Sequence, residues 1–436
     1  YGNGLQDQQL LARRYASVYT IPDITRDNAG LATMVASHRF NDATSMTVVA
    51  FVRRILTRTL NGDVNDDALG QDVYTLSAAD KSDLVAHGVA VPATINAANT
   101  PFACLRCIAQ SDQSAEPDLA CNGLLNRSRN TQGDAGISAQ ATTTLFALGL
   151  RHELTAGGGV IGSRTTFEQS SELGYLNPDR SVTGINAFAD GISGGTVDGT
   201  PLDTRVDLKA RTATWSAFAT DTVALTDRLF LTASARYNRT SVADRDSLHD
   251  AADPSSLDGD YVLARLNPAL GLAWNVSPVA HFYVGYSEGS RTPTAIELGC
   301  ANVDQPCKLP NALAGDPPLK QVVARTLEAE WRGERSRKTT WSAGVIRSGN
   351  DDDVLFVAAG PSGFGHFQNI GKTDNVLERR YAIAAQLGAT AFDSSGRFVA
   401  QPFRVNSAGD YPLRGSTFFA PGSPRLFTVG VRYRFD

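Results

Sequence analysis

The stretch Phe427-Thr428-Val429-Gly430-Val431-Arg432-Tyr433-Arg434-Phe435 decides how the fold is read. Successive side chains of a strand point to opposite sides, so Phe427, Val429, Val431, Tyr433 and Phe435 share one wholly apolar face, and the other face is cationic or small. Aromatic residues stand at both ends of the apolar face. In a soluble sandwich that face would be buried in a core. Its aromatic ends, and the recurrence of the pattern along the chain, point instead to lipid.

The same alternation is clearest at Val262, Ala264, Leu266, Leu270, Leu272, Trp274 and Val276, set against Arg265, Asn267, Gly271 and Asn275. This run exceeds the ~9 to 11 residues a strand needs to cross a bilayer, so it should project beyond it. Leu229, Leu231, Ala233, Ala235 and Tyr237 oppose Thr232, Ser234, Arg236 and Asn238, and Val323 to Trp331 opposes Thr326, Glu328, Glu330 and Arg332. Near the start, Ala32 to Phe40 turns at Asn41-Asp42 into a returning strand with Val49, Phe51 and Ile55. Residues 1–27 have no clean period and read as turn or incomplete strand. Strands over 139–154 and 160–174 are expected to join at Thr155-Ala156-Gly157-Gly158-Gly159. The connections sort by length: short ones at 41, 155, 226, 277 and 333, and long polar ones from 61, 177, 244 and 288. That sorting fits an antiparallel transmembrane β-barrel of outer-membrane type, with short periplasmic turns and long extracellular loops.

Composition agrees. The 436 residues are 42% hydrophobic and 19% charged, yet no stretch approaches the ~18 consecutive apolar residues of a membrane helix. A formal net charge of −5 gives no cationic field for a nucleic-acid partner. Asp63 to Asp67 copies the start of a calcium loop, but Ala68 replaces the turn glycine and Tyr74 the bidentate glutamate, so it reads as a solvated acidic loop. Cys104 and Cys107 have no second pair at zinc-ligand spacing, and no metal or cofactor is expected. His, Ser and Asp are too dispersed for a catalytic constellation, so the chain is not expected to be an enzyme.

The stretch Phe282-Tyr283-Val284-Gly285-Tyr286-Ser287-Glu288-Gly289-Ser290-Arg291-Thr292-Pro293 resembles the Y-S-x-G-x-R-x-P strand and loop of TonB-dependent outer-membrane receptors. Phe367 to Thr373, Asn375 to Tyr381 and Phe419 to Arg425 look like further pieces of the same family. The resemblance implies a large, monomeric barrel in outer-membrane lipid, of 22 strands in such transporters. It also implies uptake of a scarce extracellular small molecule such as a ferric siderophore, energised through TonB in the intact protein. A passive porin-like or structural barrel is the alternative. Two departures are expected to matter. These residues are expected to hold no plug domain, and the family's strands between the Phe367 and Asn375 motifs are expected to be missing at Thr373-Asp374. The barrel is therefore expected to be partial, with an open seam or strained register near residues 370–380.

Candidate binding residues follow from this reading. Arg236, Arg265 and Arg325, with Arg332, Arg432 and Arg434, are expected to line a cationic lumen suited to anions, or to pair with carboxylates of a plug. Arg291, Glu297 and Lys308 are placed in the extracellular loop that should carry recognition. Cys300 and Cys307, separated by six residues in a Pro-rich polar loop, are expected to form a disulfide in an oxidising exterior.

Overall fold

A computed structural model describes residues 6–14, 17–64, 78–86, 123–177, 179–184, 194–197, 200–253, 256–299, 319–336, 339–358, 365–375, 382–390, 395 and 414–421. It is a long-stranded antiparallel wall. Strands β2 (Asp23–Arg39), β3 (Thr44–Val64), β4 (Gly123–Ala147), β5 (Leu150–Leu176), β8 (Thr200–Ala224), β9 (Leu229–Asp246), β10 (Gly259–Ser277), β11 (Ala280–Arg291), β12 (Val322–Ser336), β13 (Thr339–Ala358) and β14 (Gly365–Asn375) pair with their neighbours in that order. The short β6 (Val182–Gly184) and β7 (Gly194–Val197) hang on β5 and β8. Among the described residues this sheet is open, with β2 and β14 at its edges. A separate sheet joins β1 (Gln6–Asp7), β16 (Arg414–Pro421) and β15 (Ala382–Thr390). Helices are few: α1 (Gln8–Arg13), α2 (Ala78–Ala86) and α3 (Ala295–Gly299). No described helix is long and apolar enough to cross a membrane.

The registers carry one consistent pair of faces from β8 to β13. Opposite one another on the outer side lie Tyr237 and Leu266, Leu270 and Tyr286, Val284 and Ala329, Phe282 and Trp331, and Ala329 and Val345. Val262, Leu266, Leu270, Leu327 and Val345 are exposed there, as a lipid-facing wall requires. Trp215 and Tyr237 make a ring pair at 5.2 Å at the upper limit of this band, and Trp274, Trp331 and Trp341 lie towards the lower one. From Leu229, opposite Trp274, up to Tyr237 the strand covers about 27 Å, or roughly 20 Å of height at a tilt of about 40°. Above Tyr237 the outer face of β9 turns polar, with Arg239 and Ser241. The inner face carries hydroxyl pairs across strands, including Thr220 with Ser234 and Thr222 with Thr232, both at 2.9 Å.

Three expectations about connections change. The Gly157 to Gly159 run is not a turn but the middle of β5, where the Phe218 ring of β8 lies against Gly157: a Cβ there would stand 2.8 Å from Phe218 Cζ and 2.5 Å from the Ala139 carbonyl. The turn is Leu148-Gly149, with φ of 53° and 78°, a two-residue hairpin of the doubly left-handed kind. Second, the polar stretch 123–133 is strand, and β3 runs on to Val64. Above the membrane both faces of a strand meet water or protein, so alternation fades while the ladder continues. Third, β2 starts at Asp23, within the stretch read as turn. Phe427 to Phe435, Cys104, Cys107, Cys121, Cys300, Cys307 and Lys308 lie outside the described residues.

Candidate functional site

The mouth is built where β11 leaves β10. Strand β9 pairs with β10 all the way up to Gly259, but the ladder between β10 and β11 runs only from Ser277↔Ala280 to Ala269↔Ser287. It stops beside Pro268, which has no N–H to donate. Beyond that point Glu288 and Ser290 of β11 reach Arg265 and Asn267, which face inward on β10. The top of β11 thus lies across the inner face of its neighbour. The chain then forms α3, whose Ala295 and Leu298 are buried against Ala210 of β8 and Val242 of β9, with Leu319, Tyr261 and Val354 completing the cluster.

Thr294 and Glu297 start α3 with a reciprocal cap. The Glu297 N–H donates to Thr294 Oγ1 at 3.2 Å, and the Thr294 N–H donates to Glu297 Oε2 at 2.6 Å. That same carboxylate oxygen accepts from Arg291 at 2.8 Å. Arg291 and Glu297, expected as loop contacts for a ligand, are brought together and hold the loop in shape. The Thr-x-x-Glu spacing was visible in the sequence.

Arg265 and Arg325 also meet, through Glu288. Arg265 lies 2.7 Å and Arg325 3.3 Å from its carboxylate, and Tyr286 Oη donates to it at 2.7 Å. Arg325 further pairs with Asp351. Two cations are thereby matched by two carboxylates. The lumen placement of Arg325 needs correcting: it stands opposite Glu288 and two residues from Leu327, on the side of β12 that carries the outer wall, while Thr326, Glu328 and Glu330 occupy the other. It joins Arg265 only because β11 and β12 fold inward above the split.

Arg236 is different. It faces the lumen opposite Asn267, donates to Asn238 Oδ1 at 2.9 Å and Ser216 Oγ at 2.8 Å, and lies 5.6 Å from the centre of the Phe218 ring. These partners are neutral, so they orient the guanidinium fork without neutralising it, and it is exposed to the lumen. Lower down, Arg332 pairs with Glu330 at 2.6 Å. Sequence reasoning missed Glu288, Asp351 and Phe218; Glu288 lay inside the family-like stretch, but its partners depend on the split ladder.

A wall that is apolar outside and hydroxyl-lined inside, with the top of β11 folded inward, agrees with the comparison to known proteins. The family described as TonB dependent receptor-like, beta-barrel matches residues 9–434. The chain belongs to that family. Its members are outer-membrane proteins of Gram-negative bacteria, receptors and transporters rather than enzymes. No curated protein matches in sequence. Among solved structures, the ferric citrate transporter FecA in its unliganded form superposes with a TM-score of 0.51 at 10% identity, covering 80% of this chain and 39% of that one. The ferric-catecholate import receptor Fiu from E. coli K12 gives 0.48 at 13%, covering 85% and 48%. The pyoverdine receptor FpvA from Pseudomonas aeruginosa PAO1 gives 0.48 at 13%, covering 80% and 41%. The chain spans less than half the length of each. At these identities the likeness to FecA concerns the fold alone.

Proposed function

We propose that the chain forms the barrel of an outer-membrane receptor that takes up a scarce anionic small molecule, such as a ferric siderophore, with energy supplied through TonB in the intact protein. Family membership over residues 9–434 carries this reading. The charge of the ligand is inferred from Arg236, an inward-facing cation with neutral partners at the level of the upper membrane interface. A fixed guanidinium recognises carboxylate or catecholate oxygens in two-pronged fashion. In this reading the barrel is a monomer. The inner faces of β2 and β3, where Leu31 and Val35 stand exposed, would meet a plug domain of the intact protein. The Cys300 to Cys307 disulfide and Lys308 belong to the same loop proposal.

The test is growth of an iron-limited, receptor-deficient strain carrying the full parent protein, supplied with ferric citrate, a ferric catecholate or a ferric hydroxamate. Growth on an anionic chelate that is lost on deleting TonB supports the proposal. Growth on none, together with TonB-independent leakage of small sugars, would favour the passive porin.

A further inference from the structure

Under α3 lies a group that ligand recognition does not use. Asp244, near the top of β9, is fully buried, and neither carboxylate oxygen has a hydrogen-bonding partner. Its register explains why: Ala210 stands opposite on β8 and Gly259 opposite on β10, two positions that offer no side-chain donor. The Tyr261 ring folds back over Gly259, where a Cβ would fall 2.6 Å from the ring, and its hydroxyl donates to the Leu298 carbonyl of α3 at 3.3 Å. Ala295 and Leu298 close the seat on Ala210 and Val242. The carboxyl group is thus enclosed by an apolar plug that the chain itself inserts. Asp244 is seven residues of strand above Tyr237, about 24 Å further along and outside the lipid band.

The charged groups around it are already occupied. Arg245, on the opposite side of β9, donates to both oxygens of Asp260 at 3.1 Å and to the Asp244 and Gly259 carbonyls. Asp246 accepts from the Leu248 and Leu257 N–H groups and contacts His249 at 2.9 Å, and Asp258 accepts from the Asp246 N–H. From α3, Glu297 is held by Arg291 and Thr294. On β8, Lys209 and Arg211 flank Ala210 on the other face, and from β13 Asp353 accepts from Asn350 and the Val354 N–H. No cation faces Asp244 among the described residues. An ionised carboxylate in such a seat lacks both solvent and counter-charge.

We infer that Asp244 is a proton-controlled latch for α3: the helix stays seated on β8 and β9 while Asp244 is neutral, and ionisation of Asp244 releases it from that seat. Burial, the largest influence, pushes the carboxyl up to about 7; Arg245 lowers it, and Asp260 and Asp258 raise it. The sign follows from proton linkage. The seated state holds one more proton than the released state, whose carboxyl has the ordinary value of ~3.9, so seating is fully stabilised below about pH 4 and weakens as pH rises to about 7. Over that window the seating constant falls about tenfold per pH unit, and above it the constant is flat. This holds whatever ligand the receptor takes.

Hydrogen–deuterium exchange on the full parent protein, purified in detergent, tests the latch, with labelling times scaled to the intrinsic exchange rate at each pH. The peptide covering 292–299 should lose protection about tenfold per unit between pH 5 and pH 7 and then level off. Asp244→Asn should stay protected throughout. Ala210→Ser, which sets a hydroxyl donor opposite the carboxyl, should move the midpoint to lower pH; it keeps the test usable if the Asn variant does not fold. A flat wild-type profile, an unchanged slope in Asp244→Asn, or an unmoved midpoint in Ala210→Ser would each overturn the inference.

Discussion

The hairpins β4–β5 and β10–β11 both close on tight turns at the lower end of the wall, yet their upper ends behave in opposite ways. Strands β4 and β5 stay in register from Ala147↔Leu150 to Gly123↔Gly174, and the polar upper part simply extends the wall. Strands β10 and β11 part at Ala269↔Ser287, and above that point Glu288 and Ser290 bond to Arg265 and Asn267 of the inner face of β10 instead. A continuous ladder leaves a strand no freedom to do anything but stand in the sheet. The Glu288 ion-pair cluster and the seat of α3 are built where the ladder stops.

The sharpest way to break this comparison is to add volume at one glycine of each hairpin, Gly157 inside the intact ladder and Gly289 above the split. Gly157→Val on β5 forces a branched side chain against the Ala139 carbonyl and the Phe218 ring, and should cost about 3 kcal/mol in urea unfolding from detergent. At Gly289, above the split, a Cβ would meet nothing within 4 Å, so Gly289→Ala should stay within about 0.5 kcal/mol. Equal costs at both sites would contradict the contrast between the continuous ladder at Gly157 and the open space beside Gly289.

How far the sequence reads depends on the same division. In the membrane band one face meets lipid and the other water, so Leu266, Leu270 and Trp274 against Arg265, Asn267 and Gly271 fix the strand and its sidedness without further help. Above it, Asn126, Arg127, Ser128 and Arg129 sit in a strand with no period, because both faces are polar there. Glycine carries two messages, turn and close approach, and at Gly157 it carried the second. Leu148 gave no turn signal, since leucine rarely accepts a left-handed backbone. At the site, Arg236 was legible because its neighbours Leu231 to Tyr237 alternate cleanly. The partners of Arg265 and Arg325, and the enclosure of Asp244, depend on where a ladder ends, a long-range fact that no local pattern encodes.

A smaller effect separates the lumen cations. Arg236→Ala should weaken binding of an anionic chelate to the refolded chain about tenfold, read by equilibrium dialysis, because it removes a cation whose partners are neutral. Arg325→Ala should change it less than threefold, since Arg325 is already committed to Glu288 and Asp351. If the two exchange places, the folded-in top of β12 is itself the recognition surface. The smallest expected change is at the intact hairpin: Leu148→Asn relieves a left-handed backbone and should raise the unfolding midpoint by an amount corresponding to about 1 kcal/mol.

The shortened ladder beside Pro268 also has a mechanical meaning. A sheet loaded across its strands fails at the pair with the fewest shared bonds, and between β8 and β13 that pair is β10–β11, held only below Ala269 while the pairs on either side continue upward. Tension on the outer loops would therefore peel the wall at one predetermined line, from the top down. The Glu288 bridge to Arg265 is the first fastening in its path.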